Sequence, residues 1–302
     1  MKDNVMDIVF YHGPYCADGL ASRWVAHLKW PNATFITFGS QESLSTSQKD
    51  LCKSKNVLFV DVAPNYHDTI WLHHNCNLTI YDHHYSTMQM LKFNGILSQV
   101  KTVLSQNMCG CHIIWSQCFP HQPLPWVLRY VQSRDLWTFK NKNEQIISWI
   151  ISQNIITTFK TKGAQDTYDY IDSLYKSKGW LWNPTHSDRW SVYQTKLHNI
   201  LHNNVQNVIL STPNEMLINV CLVKTKYLWM ASDMMEILKK NHKGLFMFMH
   251  SNKETSSSVV TLRGVSALAV AQQWPGGGGH LMAAGFKTNT LELQKRLFAV
   301  YS

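Results

Sequence analysis

No stretch of this chain approaches about 18 consecutive apolar residues, which excludes a membrane-spanning helix. Acidic residues are scarce: 19 Asp and Glu stand against 28 Lys and Arg, giving a formal charge of +9 and a pI near 9.1. A balance of that sign favours an anionic partner. The N-terminal stretch MKDNVMDIVFYHG carries Asp3 and Asp7 and lacks a long apolar core, so it does not read as a secretory signal. The sequons at Asn32 and Asn77 carry no meaning without secretion. The seven cysteines are odd in number and loosely spaced, which fits a reduced cytoplasmic protein better than a disulfide scaffold. There is no internal repeat, and no low-complexity tract beyond Gly276–Gly279. What is present is a 45% hydrophobic chain of 302 residues, enough to bury one large or two modest cores.

The pattern along the chain is α/β. Apolar or β-branched runs at 7–11, 33–39, 56–63 and 78–84 read as strands. They alternate with helical or loop segments, and 17–30 puts Leu20, Trp24, Val25 and Leu28 on one helical face. This alternation predicts a mostly parallel sheet wrapped by helices. From about 109 the period becomes helical, through 109–119, 125–137 (with Pro125 in a first turn) and 145–154. Residues 155–212 read as helices, with Trp190, Tyr193, Leu197, Ile200 and Leu201 as the stripe of the last one. A second α/β unit follows, with strands at 216–224, 244–250 and 257–263 and helices at 228–241, 265–274 and near 291–300. The expected division is therefore a first domain at 1–150, a helical connector at 151–212 and a smaller C-terminal domain at 213–302.

Chemistry concentrates in four short stretches: HGPYCADG (12–19), VDVAP (60–64), YDHH (81–84) and SRDLW (133–137). Three directly follow a predicted strand, and residues at strand ends gather along one edge of a parallel sheet, where α/β folds bind their ligands. His12, Asp18, Asp61, His83 and Asp135 are hard-ligand types suited to Mn²⁺ or Mg²⁺. Paired ions about 3.5–4 Å apart need a bridging carboxylate, and they suit phosphate-ester hydrolysis. Asp61, expected mid-sheet, is the natural bridge.

In this order, and with GGGGHLMAAGF at 276–286, the stretches resemble the DHH phosphoesterase superfamily. That superfamily includes RecJ-type exonucleases, oligoribonucleases, cyclic-dinucleotide phosphodiesterases and family II pyrophosphatases. YDHH resembles its eponymous motif, VDVAP and SRDLW its second and fourth, and TLRGVSALAVAQQWPGGGGHLMAAGF its associated small C-terminal domain. The resemblance implies that His12 binds the first metal, Asp18 binds a metal, Asp61 bridges the pair, and His83 with Asp135 completes the second site. It implies that His84 faces the scissile phosphate as general acid or electrostatic stabiliser, while Asp82 orients the neighbouring histidines. One departure stands out. Many members carry D-x-D-G in the first motif, whereas here the residues are Cys16, Ala17, Asp18 and Gly19, with the cysteine in place of the first aspartate.

The glycine run lets backbone N–H groups approach an anion, so Gly277, Gly278, Gly279, His280 and Arg263 are the expected phosphate or base grip. The alternative is a hinge at a strand–helix junction. CGCH at 109–112 suggests zinc, but cysteines two apart on a helix point away from each other. Among the tryptophans, Trp274 is the base-stacking candidate. Together these readings predict a metal-dependent phosphoesterase acting on small nucleotides: short oligonucleotides, cyclic nucleotides or bisphosphate nucleotides. The site is expected in the cleft between the two domains, holding two divalent ions, Mn²⁺ ahead of Mg²⁺ because of the histidines. No membrane partner is expected, and a homodimer is left open. The alternatives are a RecJ-type exonuclease on single-stranded DNA and a catalytically inactive nucleotide-sequestering protein.

Overall fold

The structure, a computed structural model, describes residues 5–39, 42–177, 179, 184–252 and 254–299. Asp3, part of the expected connector and the end of the helix expected near 291–300 lie outside them. Residue contacts divide the chain into two compact units, Met1–Ser187 and Asp188–Ser302.

In the first unit, β1 (Ile8–His12), β2 (Thr34–Phe38), β3 (Asn56–Val60), β4 (Asn77–Asp82) and β5 (Lys101–Leu104) form one sheet in the order β2-β1-β3-β4-β5. Every pairing in it is parallel. The crossovers carry α1 (Ala17–Lys29), α2 (Thr46–Cys52), α3 (Tyr66–Asn75) and α4 (Tyr85–Phe93). Next come α5 (Gly110–Cys118), α6 (Trp126–Asp135), α7 (Lys142–Lys162) and α8 (Ala164–Lys176). The strands are apolar on both faces, as a doubly covered parallel sheet requires. Val9, Tyr11, Leu58 and Val60 pack against α1, α5, α6, α7 and α8, while Ile8, Phe10, Val57 and Phe59 pack with Leu72, Leu91 and Phe38 on the other side. Phe10 stacks on Phe59 at 4.4 Å. Each side chain so buried contributes about 1.5–3 kcal/mol.

The second unit begins within α9 (Pro184–Asn204). Its elements run β6 (Val205–Ser211), β7 (Leu217–Lys224), a 3₁₀ turn (Leu228–Met230), α10 (Ala231–Leu238), β8 (Leu245–Asn252), β9 (Ser257–Arg263), α11 (Ala267–Ala271), β10 (Gly278–His280), β11 (Ala283–Asn289), α12 (Thr290–Lys295) and β12 (Leu297–Ala299). They build a seven-stranded sheet, β10-β11-β9-β8-β7-β6-β12, in which only the β7–β8 pairing is parallel.

The α/β class and the first four strands match the sequence expectation, and several details differ. Residues 205–211 form a strand rather than the end of a helix, because β6 pairs along its length with β7. Strand β5 was not expected; it is four residues long and flanked by polar turns. The helix expected near 291–300 stops at Lys295, and Leu297–Ala299 returns to the sheet beside β6. The helix expected over 265–274 is only Ala267–Ala271. Pro125 sits one position before the helix rather than in its first turn.

The span expected as a connector is shared between the units. Ile151, Ile155, Tyr168 and Ile171 of α7 and α8 belong to the first unit's core, and Trp24 Nε1 donates to Asp172 Oδ1 at 2.9 Å. Among the described residues, no helix is long and apolar enough to cross a membrane.

Candidate metal centre

The order of the first sheet reverses beside β1: β2 lies on one side of it and β3 on the other. In open α/β sheets the crevice beyond such a switch point, at the C-terminal strand ends, is where ligands bind. His12 ends β1, Asp61 follows β3, Asp82 ends β4, and His83 and His84 follow it.

Asp61 is fully buried and holds φ at +59°, a left-handed conformation that Asp and Asn adopt more readily than most residues. Its backbone N–H donates to the Tyr81 carbonyl at 2.9 Å, tying β3's exit to β4. Its two oxygens face different neighbours. Oδ2 lies 3.4 Å from Cys16 Sγ and 3.6 Å from His12 Nδ1. Oδ1 lies 3.0 Å from His83 Nε2. Around that same His83 nitrogen stand Asp18 Oδ2 at 3.7 Å and Asp135 Oδ2 at 3.5 Å. The structure therefore brings His12, Asp18, Asp61, His83 and Asp135 together, and places Asp61 between two groups of donors.

His84 is held differently. Its Nδ1 lies 2.7 Å from Asp82 Oδ1, which also accepts from the backbone N–H groups of His83 at 2.8 Å and His84 at 3.3 Å. The Thr87 hydroxyl donates to Asp82 Oδ2 at 2.5 Å. Asp82 is thus enclosed by donors and stands behind the histidines. Burial pushes its carboxyl up, but the His84 charge and hydrogen bond, with His83 and Thr87, outweigh burial and hold it at about 2.

Two contributors were not read from the sequence. Gly110 and Cys111, at the start of α5, donate their backbone N–H groups to Asp18 Oδ2 at 2.6 Å and Oδ1 at 2.8 Å, clasping a carboxylate 92 positions away in the chain from Gly110. The helix N-terminus favours that negative charge. Gly110 also makes room for Asp61: a Cβ added there would lie 2.5 Å from the Asp61 Cβ. Gly19 does the same beneath His12, where an added Cβ would sit 1.8 Å from its carbonyl oxygen. The repeated signal was a glycine beside a chemistry-bearing residue, in CADG and CGCH.

The expectation that Cys109 and Cys111 point apart is overturned. Cys109 precedes α5 in extended conformation (φ −78°, ψ 171°), which brings the two sulfurs to 3.4 Å. Both are buried and, with Asp18, offer donor atoms close enough to share an ion.

The donor set fits a divalent cation. Burial and the Asp61 and Asp135 charges push the Asp18 carboxyl well above its ordinary value. Burial opposes the charge on His83, but Asp135, Asp61 and Asp18 outweigh it and raise the imidazole well above the usual range. Burial likewise opposes ionisation of Asp61, yet His12 and His83 hold it well below. Three carboxylates thus converge on one imidazole, an excess of negative charge that a cation would neutralise. His12 Nδ1 and Asp135 Oδ2 are buried atoms without a hydrogen bond among the described residues.

In the second unit, Arg263, Ala283 and His280 occupy one rung across β9, β11 and β10. Arg263 Nε donates to the Ser232 hydroxyl at 2.8 Å, and Nη1 to Thr261 Oγ1 at 2.6 Å. The glycine run is part turn and part strand: Gly276 lies in a turn, Gly277 follows it, and β10 begins at Gly278. Gly278 and Gly279 pair with Gly285 and Ala284, and a Cβ at Gly277 would meet the Ala271 carbonyl oxygen at 1.8 Å. Gly279 has φ at +135°, where side chains are strained. Trp274 is core rather than a stacking platform, being 2% exposed and stacked on Phe286 at 4.5 Å.

No family model matches the chain. An uncharacterized protein of Acanthamoeba polyphaga mimivirus is 28% identical over 151 residues, covering 46% of this chain and 35% of the viral protein. Among solved structures, RecJ from Thermus thermophilus in complex with Mn²⁺ aligns with a TM-score of 0.52 and 13% identity, over 95% of this chain and 50% of that one. The pGpG-specific phosphodiesterase PggH from Vibrio cholerae aligns with a TM-score of 0.43 and 10% identity, over 96% of this chain and 95% of that one. The chain shares its fold with that RecJ structure. It spans half the length of that RecJ chain and about a third of the viral relative.

Proposed function

We propose that this protein is a divalent-metal-dependent phosphoesterase hydrolysing phosphate esters of small nucleotides, with short oligonucleotides as the first substrates to test. The observation that carries the reading is Asp61, buried, with one oxygen toward His12 and Cys16 and the other toward His83. His12 and Asp61 would hold one ion; Asp18, Asp61, His83 and Asp135 would hold the other. Bound divalent ions supply Lewis-acid charge on a phosphoryl oxygen and an acidified water.

The remaining steps belong to the chain. Asp82 fixes the orientation and charge of His84 through Nδ1, so proton transfer to the departing oxygen falls to Nε2. Burial disfavours the charged imidazole of His84, but Asp82 outweighs it and raises the group above its usual range, which suits a proton donor. The backbone clasp on Asp18 keeps that carboxylate aimed while a ligand exchanges. Arg263 and His280, on one rung with Ala283 of β11 between them, are the proposed grip on the substrate's phosphate or base, with Gly277, Gly278 and Gly279 shaping that edge.

The fold alone is shared with exonucleases and phosphodiesterases, so the substrate is decided by assay. A panel of a short oligoribonucleotide, cyclic dinucleotides, a bisphosphate nucleotide and a long single DNA strand is run with Mn²⁺ beside Asp61→Asn. Cleavage of a short substrate, lost in the variant, supports the reading. Preference for the long strand would replace it with the exonuclease reading, and binding without turnover would replace it with sequestration.

A further inference from the structure

Cys16 is the soft donor in an otherwise hard set. It caps α1 (φ −108°, ψ 118°), and its sulfur accepts the Gly19 N–H at 3.5 Å. Its S–H donates to Asp61 Oδ2 at 3.4 Å, and burial with the Asp61, Asp135 and Asp18 charges pushes the thiol well above its ordinary range despite the Gly19 N–H, so a bound cation would have to displace that proton. A second, independent observation lies opposite: His12 Nδ1 is buried without a hydrogen bond, and it shares Asp61 Oδ2 as its near neighbour with the sulfur. Donor atoms of His12, Cys16 and Asp61 all lie within 4.8 Å of one another.

We propose that His12, Cys16 and Asp61 form a thiolate-containing metal position that selects a thiophilic divalent ion such as Zn²⁺, Co²⁺ or Cd²⁺ over Mn²⁺. The hard position formed by Asp18, His83 and Asp135 with the other Asp61 oxygen is separate. This inference rests on the metal-dependent reading above.

The distances agree with tetrahedral coordination. Metal bonds of about 2.3 Å to sulfur and about 2.0 Å to nitrogen or oxygen give tetrahedral edges of about 3.5 Å for S···O and about 3.3 Å for N···O. The observed separations are 3.4 Å for Cys16 Sγ to Asp61 Oδ2 and 3.6 Å for His12 Nδ1 to the same oxygen. Three protein donors with one position left for water or substrate is the pattern of catalytic zinc sites, not structural ones. Soft sulfur ligation disfavours Mn²⁺ and Mg²⁺, whereas an aspartate at the same place would favour them. Binding breaks the S–H bond, releasing its proton to the buffer as the sulfur–metal bond forms.

The test is Co²⁺ titration of the metal-stripped full chain, followed by absorption and by calorimetry. The wild type is expected to develop a near-ultraviolet sulfur-to-cobalt charge-transfer band. Cys16→Ser and Cys16→Asp should bind Co²⁺ without that band, and Cys16→Asp should shift the Cd²⁺/Mn²⁺ affinity ratio toward Mn²⁺ by more than roughly tenfold, since even second-layer changes alter metal affinity by ~10–100-fold. The Cys109→Ser/Cys111→Ser double variant should keep the band, because those sulfurs belong to the other sulfur pair. Wild-type Co²⁺ binding without a sulfur band, or a band that survives Cys16→Ser and vanishes in the double variant, overturns the proposal while leaving the metal-dependent reading intact. No binding of Co²⁺ or Mn²⁺ by any form overturns both.

Discussion

Asp82 and His84 show how one buried ion pair sets the electrostatics of its surroundings. The folded carboxyl sits at about 2, below the ordinary value of 3.8, so its contribution is fully present above about pH 4. It is lost as pH falls from there toward about 2. A depression of that size corresponds to on the order of 2 kcal/mol. Urea unfolding should therefore show wild type more stable than Asp82→Asn near neutrality, with the gap closing on acidification through that window; a gap independent of pH would contradict the pairing. Legibility differed among the residues of the centre. Asp61 and the Asp82–His84 run were readable because each lies at the end of an apolar strand, which places its chemistry at the sheet edge. Gly19 and Gly110 were not, since the need for a missing Cβ is set by His12 and Asp61, which only the fold brings near.

Elements supply the precision of the centre. The start of α5 performs two tasks, donating two N–H groups to Asp18 and passing close under Asp61. Gly110→Ala should destabilise the protein by about 1–3 kcal/mol through overpacking. It should also weaken the Mn²⁺-induced rise in melting temperature, because Asp61 must move. Calorimetry with and without Mn²⁺ checks both, and an unchanged metal response would show that α5 only packs. In the second unit, Trp274→Ala should cost about 3–5 kcal/mol, as expected for a core aromatic stacked on Phe286 rather than a base platform. At this scale the sequence reading worked where strands were β-branched and continuous. It missed β5, β6 and β12, and it also missed β11, whose Ala- and Gly-rich start carries little strand propensity. These strands are stabilised by pairing with distant partners, a tertiary effect that local pattern does not register.

For the whole molecule, the excess of 28 basic over 19 acidic residues suits an anionic substrate, while the centre itself concentrates buried carboxylates. That opposition is what a bound cation would resolve. Mn²⁺ at about a hundred times its dissociation constant should raise the melting temperature by about 5–10 °C, and chelation should reverse the rise. Asp61→Asn, whose backbone conformation asparagine tolerates, should fold but lose that response. The division into a first unit of Met1–Ser187 and a second of Asp188–Ser302 was only partly readable. Residues 151–176 fall in the span read from sequence as a connector, and the packing of α7 and α8 against α1 and α6 makes them part of the first core.

The most direct measurement is hydrolysis of a short oligoribonucleotide with added Mn²⁺, wild type beside Asp61→Asn, with folding of both verified by their melting curves. The expected result is release of mononucleotides by the wild type, absent without metal and lost in the variant. Equal turnover by the two folded proteins would contradict the central place given to Asp61.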